Sequence, residues 1–170
     1  GASSCLACEP GRYSTVSTDA CVECVAGKYM EDEGSDAETD CVLCGVGKYS
    51  TVVGSFAAGD CTECVAGKFM EDEGSDAESD CVLCGVGKYS TVVGSFVAGD
   101  CTDCVAGKHL SSEGNDAESD CVLCGVGKYS VVVGSSSEGD CTECVAGKYM
   151  EDEGSDAETD CVLCGVGKYS

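Results

Sequence analysis

Nine C-x-x-C pairs divide this sequence into units of nearly constant length. The step from one pair to the next is constant after the second pair, since the pairs begin at Cys5, Cys21, Cys41, Cys61, Cys81, Cys101, Cys121, Cys141 and Cys161. A unit of this size, which we call a rung, cannot bury an apolar face on its own, whereas a stack of such units can. The spacing therefore predicts an array in which each rung packs against its neighbours.

Two kinds of rung alternate, so one full period consists of two successive rungs. Residues 21–60 and 61–100 differ at only four positions, which are Val22/Thr62, Tyr29/Phe69, Thr39/Ser79 and Ala57/Val97. We expect the array to continue past Cys164, where the last rung stops halfway. The predicted division is a first short rung at 1–20, repeat 1 at 21–60, repeat 2 at 61–100, a divergent repeat 3 at 101–140 and a partial repeat 4 at 141–170.

Every rung has the same internal order of residue types. After the C-x-x-C pair come a glycine, a basic residue and then Tyr or Phe, except that His109 takes the aromatic place in repeat 3. β-branched and aromatic residues followed by Gly-Ser predict a short strand, a turn and a second short strand. The only helical feature we expect is a single turn at 36–38. All basic residues of the chain occupy the slot before the aromatic position: Arg12, Lys28, Lys48, Lys68, Lys88, Lys108, Lys128, Lys148 and Lys168.

The composition indicates that cross-links must supplement the core. Cysteine accounts for 18 of the 170 residues and glycine for 24, and tryptophan is absent. Ordering a chain costs on the order of 1.5 kcal/mol per residue, and so little apolar bulk cannot offset that cost alone. This much cysteine in a short chain is typical of a disulfide scaffold. We predict a small disulfide-rich array of β-hairpins, an elongated rod or solenoid of nine C-x-x-C rungs with little helix.

The charge balance and the single histidine exclude several classes of function. Nine basic residues against 32 acidic ones give a net charge of −23, which opposes binding to nucleic acid or anionic lipid. No apolar run approaches the roughly 18 residues of a membrane span. Because His109 is the only histidine, no Ser/His/Asp or Cys/His set can recur with the rungs. We predict no enzyme, no catalytic residues, no nucleic-acid partner and no membrane span in this segment.

Zinc and disulfides are the two uses of cysteine that the spacing allows. Adjacent pairs satisfy the C-x2-C-x16-C-x2-C template of a zinc ribbon. However, nine pairs leave one over when divided into four-cysteine sites, and each such site would add two negative charges to an acidic chain. Disulfides need only an oxidising compartment, and we favour them.

Two disulfide ladders remain open, because spacing alone does not determine connectivity. In one ladder, first cysteines join first and second join second, as in Cys21–Cys41 with Cys24–Cys44. In the other, which we favour, the second cysteine of each pair joins the first of the next, as in Cys24–Cys41. Each bridge is worth roughly 3 kcal/mol in the chain-entropy model. The favoured ladder leaves Cys5 and Cys164 over and uses Cys8, Cys21, Cys24, Cys41, Cys44, Cys61, Cys64, Cys81, Cys84, Cys101, Cys104, Cys121, Cys124, Cys141, Cys144 and Cys161.

A known family shares this pattern of cysteine, glycine and aromatic residues. The segment Cys5-Leu6-Ala7-Cys8-Glu9-Pro10-Gly11-Arg12-Tyr13-Ser14 resembles the opening of the ephrin-receptor-like cysteine-rich tandem repeats and, more distantly, tumour necrosis factor receptor-like modules. The resemblance extends over all nine rungs. It implies an extracellular, disulfide-bonded, elongated module, but no single activity, since such repeats serve receptors, secreted proteins and surface proteins alike.

Acidic residues recur in two settings. The stretch 31–40 carries six carboxylates, although their order does not match an EF-hand. We predict a solvated loop without metal or cofactor there, and weak Ca²⁺ binding by Glu31, Asp32, Glu33 and Asp36 is the alternative. The second setting is the aspartate before the first cysteine of each full rung, which we expect to cap a turn by accepting backbone N–H groups. These aspartates are Asp40, Asp60, Asp80, Asp100, Asp120, Asp140 and Asp160.

Surface modification and ion pairing complete the list of candidate sites. Asn115 precedes Asp116 and Ala117, so it lies outside an N-glycosylation sequon. We expect any sugar to be O-linked, at Ser50, Thr51 and Ser55 or their counterparts in other repeats. The row of basic residues is expected either to contact acidic loops, on the same chain or on a neighbouring one, or to cover the adjacent aromatic rings.

Near-identical copies suit a task in which regularity matters more than a unique pocket. We predict a structural protein of an extracellular filament, cell-surface appendage or coat, secreted or at the cell surface. Its expected partners are copies of itself or a related filament subunit, and glycans. The alternative is a stalk or ligand-binding ectodomain segment of a cell-surface receptor or adhesin. That alternative requires one divergent rung to carry the ligand, and repeat 3 is the candidate.

Overall fold

The computed structural model describes residues 5–16 and 20–169, which form a series of small β-hairpins. Each hairpin pairs two antiparallel strands of two residues, and the prediction of a disulfide-rich hairpin array with little helix is confirmed. The strands are β1 Arg12–Tyr13, β2 Val22–Glu23, β3 Lys28–Tyr29, β4 Val42–Leu43, β5 Lys48–Tyr49, β6 Thr62–Glu63, β7 Lys68–Phe69, β8 Val82–Leu83, β9 Lys88–Tyr89, β10 Thr102–Asp103, β11 Lys108–His109, β12 Val122–Leu123, β13 Lys128–Tyr129, β14 Thr142–Glu143, β15 Lys148–Tyr149 and β16 Val162–Leu163.

One turn of 3₁₀ helix precedes the first cysteine of each full rung. The turn expected at 36–38 lies slightly later, at Glu38–Asp40, where Asp40 ends it and Cys41 follows directly. The side chain of Asp40 accepts a hydrogen bond from the backbone N–H of Ala37 at 3.2 Å, which explains why aspartate holds this position. The seven turns are Glu38–Asp40, Ala58–Asp60, Glu78–Asp80, Ala98–Asp100, Glu118–Asp120, Glu138–Asp140 and Glu158–Asp160.

The residues of the described chain form two compact units. The first contains the described residues up to Val65 together with Phe69–Val82 and Val93–Val97. The second contains Ala66–Lys68, Leu83–Val92 and the described residues from Ala98 onward.

Backbone hydrogen bonds link successive rungs within the first unit. The N–H of Met30 donates to the carbonyl of Ser55 at 3.1 Å, and the N–H of Gly54 donates to the carbonyl of Cys24 at 2.8 Å. The second unit repeats these bonds at equivalent positions, from Leu110 to Ser135 at 3.0 Å and from Gly134 to Cys104 at 2.8 Å. A strand of two residues satisfies few backbone groups by itself, so each rung depends on the next to pair the rest.

Glycine is required where two turns approach each other closely. Gly27 has a φ of +80°, and a Cβ there would collide with the carbonyl oxygen of Gly74. The left-handed conformation and the lack of space both exclude a side chain, which explains the constant glycine between the C-x-x-C pair and the basic slot.

The buried core consists of half-cystines, the residue directly after the aromatic position and, where that residue is a buried serine, a second serine of the same rung such as Ser55. The residue after the aromatic position alternates between a bulky apolar residue and serine. We call the rungs with an apolar residue methionine rungs (Met30, Met70, Leu110 and Met150) and the others serine rungs (Ser50, Ser90 and Ser130); all of these side chains are buried. In the first unit, Met30 packs with Cys24 and Cys41, and Tyr13 lies against this cluster.

Candidate functional site

The disulfides of the structure form the second-to-first ladder. Each bridge joins the second cysteine of one pair to the first of the next, with Cα atoms 5.6 to 5.9 Å apart. Cys5 is exposed and Cys164 is half-buried, and neither forms a disulfide. The bridges are Cys8–Cys21, Cys24–Cys41, Cys44–Cys61, Cys64–Cys81, Cys84–Cys101, Cys104–Cys121, Cys124–Cys141 and Cys144–Cys161.

Acidic turns cover the surface of the methionine rungs. Glu31, Asp32, Glu33 and Asp36 are all exposed. The carboxylate of Glu31 accepts a hydrogen bond from the backbone N–H of Ala58 at 3.2 Å, so it braces the neighbouring rung. In the described part of the chain, no three His, Cys, Asp or Glu residues are grouped so that they could hold a metal ion. Weak Ca²⁺ binding by these four residues stays a prediction.

Apolar turns take the same place in the serine rungs. Val52, Val53 and Phe56 are 55%, 52% and 61% exposed. In the next serine rung, Val93 and Phe96 are likewise more than half exposed, at 56% and 52%. The two kinds of rung therefore present opposite surfaces, one acidic and one apolar, although their backbone bonding is the same.

The serine rungs bury a pair of hydroxyl groups beneath each apolar turn. The oxygens of Ser50 and Ser55 lie 3.3 Å apart, and both side chains are buried. Ser55 also donates to the carbonyl of Val52 at 3.2 Å, and Ser50 accepts from the N–H of Val52 at 3.3 Å. The prediction of O-linked sugar at Ser50 and Ser55 does not agree with this arrangement, because hydroxyls packed inside the folded rung are inaccessible to a glycosyltransferase. Thr51 is exposed, and its glycosylation stays a prediction.

The basic residues pair with acids of their own chain, either across the hairpin or in the 3₁₀ turn; Lys128 faces Glu143 across its hairpin but pairs with Glu138 of the turn. Lys48 lies opposite Glu63 across a hairpin and pairs with it at 3.3 Å. Lys28 lies opposite Leu43 and pairs instead with Glu38 of the 3₁₀ turn, at 3.4 Å. The other ion pairs are Arg12–Glu23 at 2.6 Å, Lys88–Asp103 at 2.6 Å, Lys108–Glu118 at 3.3 Å, Lys128–Glu138 at 3.0 Å and Lys148–Glu158 at 3.6 Å.

One ion pair and one turn cap shift the pKa values of their side chains. The hydrogen bond between Lys128 and Glu138, with their mutual attraction, raises the pKa of Lys128 and lowers the pKa of Glu138. The backbone N–H groups of Ser137 and Ser136 donate to Asp140, both at 2.9 Å, and lower the pKa of its carboxyl. All three groups are exposed, so these shifts report local geometry and contribute little to stability.

The predicted turn cap is confirmed at Asp40, Asp60, Asp80, Asp120 and Asp140, and it differs between the two rung types. In two serine rungs the aspartate accepts two backbone N–H groups: Asp60 binds those of Phe56 and Ala57, at 3.0 and 3.1 Å, and Asp140 binds those of Ser136 and Ser137. In the methionine rungs Asp80 and Asp120 bind one N–H each, like Asp40, from Ala77 at 3.2 Å and Ala117 at 3.1 Å.

His109 keeps the aromatic place of its rung in the divergent repeat. It pairs with Val122 across a hairpin and forms a parallel bridge to Ser135. Its Nδ1 atom is buried without a hydrogen-bond partner. The exposed turn that follows is held by Asn115, whose amide donates to the carbonyl of Ser112 at 2.6 Å. The substitution therefore changes the composition of this rung and leaves its hairpin intact.

Comparison with known families supports the predicted resemblance. Residues 11–61 match the family model described as tyrosine-protein kinase ephrin type A/B receptor-like. The match begins at the glycine of the first rung and ends at Cys61, so it includes both half-cystines of two bridges, Cys24–Cys41 and Cys44–Cys61. A comparison with curated proteins found no match. The resemblance to ephrin-receptor-like repeats is thus confirmed for this segment, and that family is a type of extracellular, non-catalytic module.

Location follows from the same observations. Eight disulfides require an oxidising compartment, and together with the family match they indicate an extracellular or cell-surface protein. None of the helices in the described residues is long and apolar enough to cross a membrane.

Proposed function

We propose that this chain is a structural repeat protein of an extracellular filament, cell-surface appendage or coat, and that it assembles with copies of itself or a related subunit. The observation that carries the proposal is the regular recurrence of contacts. The cluster of Met30 with Cys24 and Cys41 recurs one full period later around Met70, and again around Leu110 in the second unit. The clusters differ only in that Leu110 replaces methionine, and the half-cystines around it keep the same places.

The distinctive side chains support the same conclusion, because each has a structural task. Sixteen cysteines form bridges, the basic slot supplies ion pairs within the chain, and the aspartates cap turns. What remains on the surface is the regular alternation of acidic and apolar turns. A regular surface suits lattice-like association, since every copy offers the same contacts at the same spacing.

The experiment compares two deletions of one full period. Removing residues 61–100 or residues 101–140 leaves every C-x-x-C spacing intact, because the joined ends continue the ladder without a gap. We expect the oxidised protein and both deletion variants to form ordered assemblies in electron micrographs. Failure of the intact chain to assemble across a range of salt and protein concentrations would contradict the proposal.

A receptor or adhesin segment is the second candidate, favoured by the match to an ephrin-receptor-like family and by the divergence of repeat 3. In that case residues 101–140 carry the ligand, in the rung where His109 has a buried nitrogen without a partner. The same deletions distinguish the candidates. Binding to the surface of source cells would be lost on removal of residues 101–140 and kept on removal of residues 61–100.

A further inference from the structure

We infer that the apolar turns are the contacts through which one copy of this chain binds a second copy. By apolar turns we mean residues 50–59 and 90–99, with residues 130–137 as a weaker third member. The inference rests on the proposed function and deepens it, because it names the surface and the occupant.

The apolar turns are ordered before any partner arrives. In the first unit, the N–H of Gly54 donates to Cys24, and the hydroxyl of Ser55 donates to Val52. The backbone is therefore held while the side chains of Val52, Val53 and Phe56 point away from the buried clusters and remain more than half exposed. A surface that is both fixed and apolar loses little entropy on binding and gains from burial.

Charge restricts where two copies of this chain can meet. The chain carries a net charge of −23, and its copies repel each other wherever acidic turns would meet. Seven basic residues are engaged in the ion pairs described above, so the surface offers few cations to bridge that repulsion. Residues 49–59 and 89–99 are the longest uncharged stretches of the sequence. They are where two copies can meet without bringing like charges together.

Repetition makes a weak contact sufficient. A single patch of two valines and one phenylalanine binds poorly, but the patches recur at a fixed spacing of one full period. Once one pair of patches has met, the next pair binds at high effective concentration, so affinities multiply. The third turn has Ser136 where the first has Phe56 and the second has Phe96. The strength of contact therefore decreases toward repeat 3.

The test uses the whole chain and a matched control. The variant Phe56→Ser with Phe96→Ser gives the first two turns the residue found at Ser136, and both rings are exposed, so the fold is retained. The control, Val42→Thr with Val82→Thr, removes equally exposed apolar groups from hairpins and introduces the residue found at Thr62. Unchanged near-ultraviolet circular dichroism and bridge content establish that both variants are folded.

Sedimentation gives the readout. We expect the wild type to associate more strongly as NaCl rises from about 0.05 M to about 0.5 M, because salt screens repulsion and leaves apolar contacts in place. The phenylalanine variant should weaken association at least about tenfold, and the valine control should leave it unchanged.

Three outcomes would overturn the inference. If the phenylalanine variant assembles as the wild type does, or if association weakens with salt, the contacts lie elsewhere and the proposed filament still stands. If the wild type remains monomeric at every salt concentration, the inference and the proposed function fail together.

Discussion

Methionine rungs and serine rungs share one backbone and fill it in two ways. In the rung of Met30, a thioether packs among half-cystines and the turn above it is acidic. In the rung of Ser50, a hydroxyl pair links the slot to its own turn, and that turn exposes valine and phenylalanine. Equivalent hydrogen bonds and disulfides run through both. The comparison teaches that disulfides and backbone hydrogen bonds define the rung. The buried residue after the aromatic position and the turn that follows it vary together.

The largest effect is expected when serine replaces the buried methionine of a methionine rung while the turn of that rung is left unchanged. Met70→Ser empties a buried site beside Cys64 and Cys81 and leaves a hydroxyl there, so we expect a loss of about 3 kcal/mol in the free energy of unfolding. Met70→Leu is the control, because Leu110 fills the same slot, and it should cost less than about 1.5 kcal/mol. Guanidinium unfolding followed by tyrosine fluorescence reports both, since Tyr49 packs on this cluster. Equal losses of unfolding free energy in the two variants would mean that the side chain of Met70 is not packed as described.

The reverse exchange tests whether the buried residue after the aromatic position and the turn that follows it contribute to stability together. Ser50→Met forces a larger side chain against Ser55 and removes the hydroxyl pair, and we expect a cost of about 2 kcal/mol. Replacing residues 50–58 as a block with residues 30–38 changes slot and turn together and should cost less than the single substitution. A block exchange that is more destabilising than Ser50→Met would show that the two are independent.

A smaller effect separates two serines that occupy equivalent turns. Ser55 is buried and hydrogen-bonded, and Ser55→Ala should cost about 1 kcal/mol. Ser75 lies in the turn of a methionine rung and is only half-buried, so Ser75→Ala should be close to neutral. Denaturation midpoints of the two variants make the comparison. If Ser55→Ala left the denaturation midpoint unchanged, the hydroxyl pair would not contribute to stability.

The smallest effect concerns the turn caps at acid pH. The pKa of Asp140 is lower in the folded chain than its ordinary value of 3.8. The ionised carboxylate therefore stabilises the folded chain fully above pH 3.8, and this stabilisation is lost as the pH falls through the lower pKa of the folded chain. A carboxyl titration by nuclear magnetic resonance should therefore place the midpoint of Asp140 below 3.8. In Asp140→Asn, we expect the amide protons of Ser136 and Ser137 to lose their response to this titration. A midpoint at or above the ordinary value would contradict the two-donor cap.

Features that repeat in every rung were predictable from the sequence. The invariant glycine, the aromatic place and the aspartate before cysteine each predict a local conformation, and the hairpins and the caps such as Asp60 follow from them. The ion pairs were predictable only in part. Lys48 faces Glu63 and pairs with it, and Lys28 faces Leu43 and pairs with the 3₁₀ turn. Lys128 faces Glu143 yet pairs with Glu138 of its turn, so the residue opposite the basic slot does not determine the partner alone.

Features that depend on neighbouring rungs were not predictable. Ser50 and Ser55 belong to a turn that has the sequence signature of exposed loops, and only stacking buries them. Disulfide connectivity has the same origin, because spacing allows either ladder and the contact between successive rungs selects one. The sequence signal that marks the buried hydroxyls is the alternation of a bulky apolar residue, Met or Leu110, with serine after the aromatic position.

The disulfide ladder is the central claim, and cleavage after glutamate tests it directly. Glu23 lies between two cysteines of one pair, so digestion of the unreduced protein, with free thiols first blocked, separates Cys21 from Cys24. The ladder described here predicts that peptide 24–31 is joined to peptide 39–63, with Cys44–Cys61 closed inside the latter. A mass in which the peptide containing Cys21 is also attached to 39–63 would show that first cysteines join first, and would contradict the structure.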